Sequence, residues 1–138
     1  MKLLIPIILL STTIAQATPT IAKPISAIHA TPADKIKHPT QAMSNEQAKA
    51  ILKEMQQQRN DEEKIAVIKA KLNSKDVGIT VTQLITLLNQ FLTDDSKLAA
   101  AKYAFEYTTN YKSYLDINDL FSRDEYKFAL EDYVHKNK

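Results

Sequence analysis

The chain contains no cysteine, no tryptophan and a single glycine, Gly78, in 138 residues. Without cysteine there is no disulfide, no thiol nucleophile, no zinc–thiolate site and no lipidated N-terminal cysteine. The near absence of glycine argues against hairpin-rich all-β folds, whose tight turns need it, and leaves no material for a glycine-rich phosphate loop. Charge of one sign is also missing: the formal net charge is +2, and lysines alternate with acids along the chain. A nucleic-acid partner is therefore not expected, because phosphate neutralisation calls for a basic stripe. Hydrophobic residues make up 44% and charged residues 25% of the chain, a balance that supports one small soluble domain rather than a disordered polymer.

The N-terminus reads as an address. Lys2 provides a positive start, Leu3 to Leu10 an apolar run broken only by Pro6, and Ala15-Gln16-Ala17 an A-x-A cleavage site. The expectation is a signal peptide over residues 1–17, cut after Ala17, giving a periplasmic or secreted protein. The apolar run is much shorter than the roughly 20 residues of a spanning helix, so no stable membrane anchor is expected after cleavage. Residues 18–43 carry Pro19, Pro24, Pro32 and Pro39 among alanine, threonine and lysine. Proline removes helix donors and biases its neighbours to extended backbone, so this stretch is expected to be a flexible linker. His29 and His38 within it are too few for a metal site.

Residues 44–138 are written as helices. Ser44-x-x-Gln47, Asn60-x-x-Glu63, Thr80-x-x-Gln83 and Ser122-x-x-Glu125 fit the capping-box pattern, in which a cap side chain accepts from the third helical amide while Glu or Gln reaches back. Behind these starts run apolar residues at helical spacing: Ala48, Ile51, Leu52 and Met55, then Ile65, Ile68 and Leu72. Asn73 is placed to end the second helix in a left-handed conformation. Val81 to Leu92 has the widest apolar arc and no charge, and is expected to be the central core helix. A fourth helix starts near Thr93 to Asp95, a short fifth spans about Ser113 to Phe121, and a last runs from Arg123 to His135.

Two segments recur. Gln47-x-x-x-Ile51-Leu52-x-x-Met55 matches Gln83-x-x-x-Leu87-Leu88-x-x-Phe91, and Lys64-Ile65-Ala66-x-x-Lys69 matches Lys97-Leu98-Ala99-x-x-Lys102. Helical hairpins of this kind cannot bury an apolar face alone, so the copies should stack. The fold class is all-α: a small bundle or array of about six short helices in repeat-related hairpins.

The stretch Thr80-Val81-Thr82-Gln83-Leu84-Ile85-Thr86-Leu87-Leu88, followed by Asp95-Ser96-Lys97-Leu98-Ala99-Ala100-Ala101-Lys102-Tyr103-Ala104, resembles the exported bacterial family called domain of unknown function 4476. Asn110 with Tyr114 to Phe121, and Leu130 to Val134, match the later parts of that pattern. The resemblance covers about residues 46–134 and implies a helical fold and export, with no activity attached.

Chemistry is sparse. Only His135 among the three histidines lies in the helical region, and no nucleophile elbow or H-E-x-x-H pattern occurs. The acid pairs Glu62/Glu63, Asp94/Asp95 and Asp124/Glu125 sit in first turns, where the helix dipole favours them. Asp116 and Asp119 lack the further oxygen ligands that calcium requires. No catalytic, cofactor or metal residue is therefore assigned. All six tyrosines lie between Tyr103 and Tyr133, and Tyr103, Tyr107, Tyr111 and Tyr114 recur every three or four residues. That row is either edge packing beneath a neighbouring helix or a partner-binding patch. The lysines Lys64 and Lys97 either lay their stems over the buried stripe or form a stripe for an anionic polymer. The expected function is an exported, non-catalytic interaction module with a protein or envelope polymer as partner. A small exported enzyme or hydrolase inhibitor is the alternative.

Overall fold

A computed structural model describes residues 35–138. The expected signal peptide and most of the expected linker lie outside them. The helical elements are α1 (Asn45–Gln56), α2 (Asp61–Lys71), α3 (Val81–Leu88), α4 (Asp94–Ala104) and α5 (Asp124–Asn137). A 3-10 turn, Phe105–Tyr107, extends α4, and a longer 3-10 segment, Tyr111–Leu120, precedes α5 and is kinked at Ser113. Two short strands, β1 (Gln41–Ala42) and β2 (Val77–Gly78), pair in parallel, and an isolated parallel bridge joins Ile79 to Thr108. The described chain is all-α apart from this small ladder.

The order of elements is one unit written three times: an extended residue or two, a first helix, a turn and a second helix. The first helices α1, α3 and the 3-10 segment pack side by side in one layer, and the second helices α2, α4 and α5 in another. The ladder sews the entrances of the units together: the Met43 amide donates to the Gly78 carbonyl at 2.7 Å, Ile79 to Tyr107 at 2.8 Å, and Thr109 to Ile79 at 3.0 Å. These bonds satisfy backbone that would otherwise be stranded under packed side chains. They also explain the lone glycine. A Cβ at Gly78 would meet the Tyr107 carbonyl oxygen and lie 2.8 Å from Pro39 Cγ, so only a residue without a side chain lets the ladder close.

The core lies between the layers. Met55, Ile68, Leu84, Leu88, Phe105, Ile117 and Leu130 are fully buried, with Ala100, Ala101 and Ala104 of α4 among them. The alanines favour helix intrinsically, and their small size lets α4 pack closely against α2, α3 and α5.

The capping boxes at Ser44 and Thr80 are formed in full: each side chain accepts from the Gln47 or Gln83 amide, and that glutamine returns to the cap amide. Asn60 caps α2 by accepting from the Glu63 amide, but the Glu63 carboxylate accepts from the Arg59 amide at 3.0 Å and the Asn60 side-chain amide at 3.4 Å rather than from the cap backbone amide. At the fourth start the expectation was wrong. Arg123 occupies the cap position with no side-chain bond, and Ser122, one residue before it, gives its amide to Asp94 at 2.9 Å. The left-handed stop at Asn73 is also absent. No positive φ occurs among the described residues, and Asn73 returns its side-chain amide to the Ala70 carbonyl at 2.9 Å. Helix α3 ends at Leu88 rather than Leu92: Phe91 turns inward while Leu92 is 82% exposed, its amide captured by Asp61.

The expected flexible linker to residue 43 needs correction at its C-terminal end. Gln41 and Ala42 form β1, Pro39 and Met43 are buried, and Ile36 packs against the core. The packed domain thus begins near Ile36, because the first hairpin needs β1 to satisfy the edge of the ladder.

Candidate functional site

Each side chain with functional potential is best understood from the unit that positions it. Asp61 opens α2 and Lys64 follows three residues on, on the same face. Asp61 accepts from the Leu92 amide at 3.0 Å and the Thr93 amide at 3.1 Å, while Lys64 donates to the Gln90 carbonyl at 2.6 Å. One hairpin thereby grips the turn of the next. The second unit does the same: Asp94 takes the Ser122 amide at 2.9 Å, and Lys97 donates to the Leu120 carbonyl at 2.7 Å. Burial by itself would raise both carboxyls, but the amide donors, with the neighbouring lysine, outweigh it and hold each below the ordinary aspartate value. These lysines are structural clamps, neither free recognition stripe nor mere cover for the apolar stripe. The Lys64/Lys97 equivalence extends to the aspartates three residues before each lysine and to a third copy, Asp124-x-x-Lys127-Phe128-Ala129, which helix periodicity and cap patterns do not single out. Writing D-x-x-K-hydrophobic-A as the motif would have found all three.

The tyrosine row does not form a common surface. Helix α4 ends at Ala104, so the row is split between a 3-10 turn and the kinked segment. Tyr114 is fully buried, with its hydroxyl donating to the Ala101 carbonyl, and Tyr107 is 9% exposed. Tyr103 lies at an edge, donating to the Leu72 carbonyl at 2.8 Å, and burial pushes its hydroxyl up to about 12. Lys69 stands over the Tyr103 ring at 5.6 Å and Lys75 over Tyr107 at 4.4 Å. Tyr111 turns the other way, into an aromatic cluster about Phe105. The four-residue partner patch is therefore corrected to packing, as the buried Tyr114 and Tyr107 require.

His38, within the expected linker, is in the structure part of that cluster. Its ring stacks on Tyr111 at 3.8 Å with planes 9° apart and meets the edge of Phe105 at 4.9 Å. Among the described residues neither ring nitrogen has a hydrogen-bond partner of good geometry, although the carbonyls of Thr108 and Phe105 lie close enough to favour the charged form somewhat. Burial is the larger effect, and Lys75 adds to it, so the imidazole is held below its ordinary value of 6.5. The folded state prefers the neutral ring, so its contribution is complete above pH 6.5 and is lost as pH falls from there towards the folded value. The midpoint of thermal unfolding should thus fall between pH 7.5 and 5 more steeply for the natural protein than for His38→Phe, which keeps the stacking without the titration. Parallel pH profiles for the two proteins would refute this.

Among the described residues, two grooves open on the flanks of α1. On one side a groove of about 310 Å³ is lined by Met43, Ala50, Ile51 and Val77, with Gln47, Glu54, Lys71 and Ser74 supplying polar groups. Lys71 and Glu54 pair across it at 2.8 Å. On the other side α1 and α3 enclose about 220 Å³ between Ala48, Leu52, Thr82, Thr86 and their neighbours. A third depression of about 330 Å³, near Lys35, Lys37 and Lys75, is more polar, and its Lys75 is paired with Glu106. No group of three or more potential metal ligands is present among the described residues.

The family described as Domain of unknown function (DUF4476) matches residues 42–134. The chain belongs to that family. No curated protein and no solved structure matches it. The matched span of this DUF4476 domain begins within β1 and ends in α5, so it takes in all three hairpins and the ladder that joins them.

Proposed function

We propose that this protein is an exported, non-catalytic interaction module, and that the two grooves flanking α1 receive an apolar segment of a protein partner. The observation that carries this is the division of labour among its groups. The buried aspartates and lysines are spent on clamping neighbouring turns, whereas the largely apolar groove between Met43, Ala50, Ile51 and Val77 is open and has polar groups at its rim. An apolar floor with a polar rim is the anatomy of a protein-recognition surface. Export is supported by the charged start, apolar run and Ala15-Gln16-Ala17 of the N-terminus.

Ala50 is exposed and lines the groove without entering the core, so Ala50→Arg fills the groove while leaving the fold intact. Capture of an envelope protein by the immobilised domain should be lost with this variant, at an unchanged melting temperature. Undiminished capture would remove the groove from the proposal, and an intact Met1 on the native protein would remove export.

A further inference from the structure

The clamp that joins one hairpin to the next occurs three times in the sequence but is closed only twice. In the first unit the side chains of Lys64 and Asp61 are 11% and 8% exposed, and in the second Lys97 and Asp94 are 13% and 12% exposed, because the following turn covers them. In the third, Lys127 and Asp124 pair with each other at 3.0 Å, and no described element lies over them: they are 35% and 76% exposed. Phe128 stands at the register of Ile65 and Leu98, both of which pack against the core, yet it is 66% exposed. Residues four apart share a helix face, so Asp124 and Phe128 make one uncovered strip at the start of α5.

At the other end of the array is the complement. Counted back from the caps Asn60 and Thr93, the turn between α1 and α2, Gln57 to Asn60, lines up with Gln90 to Thr93, the turn that Asp61 and Lys64 grip, α1 being the longer of the two first helices. No preceding hairpin grips it among the described residues. The Arg59 amide, which corresponds to the clamped Leu92 amide, instead takes a carboxylate oxygen from Glu63 of its own helix at 3.0 Å. A carboxylate thus already occupies the place that the clamp aspartate fills in the later units. Arg59 is exposed and carries the charge that complements Asp124.

We infer that the outer face of α5 docks on the α1–α2 turn of a second copy, continuing across the molecular boundary the stacking used inside it. Lys127 donates to the Gln57 carbonyl of the neighbour, Asp124 lies against its Arg59, and Phe128 is covered. The contact is head-to-tail, so it leaves one free end of each kind and permits chains longer than two. This inference rests on the stacking of the hairpins and not on the grooves beside α1, so either can fail alone.

Sedimentation velocity of the purified protein over a range of concentrations tests it. The sedimentation coefficient should rise with concentration. Asp124→Arg, Arg59→Asp and Phe128→Ser should each weaken self-association by about tenfold or more, with folding unaffected because all three side chains are exposed. The combined exchange Asp124→Arg with Arg59→Asp should restore much of the loss. A monomer at every concentration would overturn the inference, as would an association that none of these substitutions alters or that the exchange fails to recover.

Discussion

Asp61→Ala is expected to remove about 3–5 kcal/mol of stability, because it strands the buried Lys64 ammonium and leaves two amides of the next turn without their acceptor. Asp61 is the more heavily used of the clamp aspartates: both of its oxygens reach the Leu92 amide, at 3.1 and 3.0 Å, and one also reaches Thr93. The same substitution at the exposed Asp124 should cost under about 0.5 kcal/mol in the isolated monomer, since a solvated ion pair contributes little. Urea unfolding of the two variants at neutral pH makes the comparison, and equal losses would show that the clamp does not hold the hairpins together. Acid should act in the same direction. The folded state keeps the carboxyls of Asp61 and Asp94 below the ordinary value of 3.8, so it binds fewer protons than the unfolded chain. Their stabilisation is therefore complete above that value and is lost as pH falls through the folded ones.

Leu88→Ala should cost about 2–5 kcal/mol, the range for deleting a buried leucine whose cavity cannot collapse. Leu88 is fully buried at the end of α3, the middle helix of its layer, and the loss would be a large part of what a domain of this size possesses. Leu92→Ala, four residues along the same apolar run, should change stability by less than about 0.5 kcal/mol, since Leu92 is 82% exposed. Denaturant midpoints for the pair separate a helix that continues to Leu92 from one that stops at Leu88. If both leucines prove equally costly, the turn at Leu92 is misplaced.

These two sites show where sequence periodicity stops being informative. An apolar run from Val81 to Leu92 reads as one amphipathic helix, since Leu88 and Leu92 are one helical turn apart. The break between them is made by Asp61, which lies about thirty residues earlier and whose carboxylate draws the Leu92 and Thr93 amides out of the helix. Ser122 lies one residue before the cap position of α5, at the place in its turn that Leu92 holds in the previous one, and its amide goes to Asp94 of the previous hairpin. Tyr103 to Tyr114 looked like one stripe because their spacing is helical. The end of α4 at Ala104 divides them, and Tyr114 becomes core while Tyr103 stays at an edge.

The all-α class, the capped starts at Ser44, Asn60 and Thr80, the family and the repeat equivalence of Lys64 with Lys97 were determined by the sequence alone. Each rests on interactions within one turn of helix or on the identity of short segments, and neither depends on what packs above them. The tertiary structure alone decided that β1 and His38 belong to the domain, that a parallel ladder joins the hairpins through Gly78, and that two clamps are closed while the third is open. Those features depend on which backbone groups and side chains, about thirty or more residues apart in sequence, come within reach of one another. That proximity is set by the stacking of whole hairpins, which no local pattern of residues encodes.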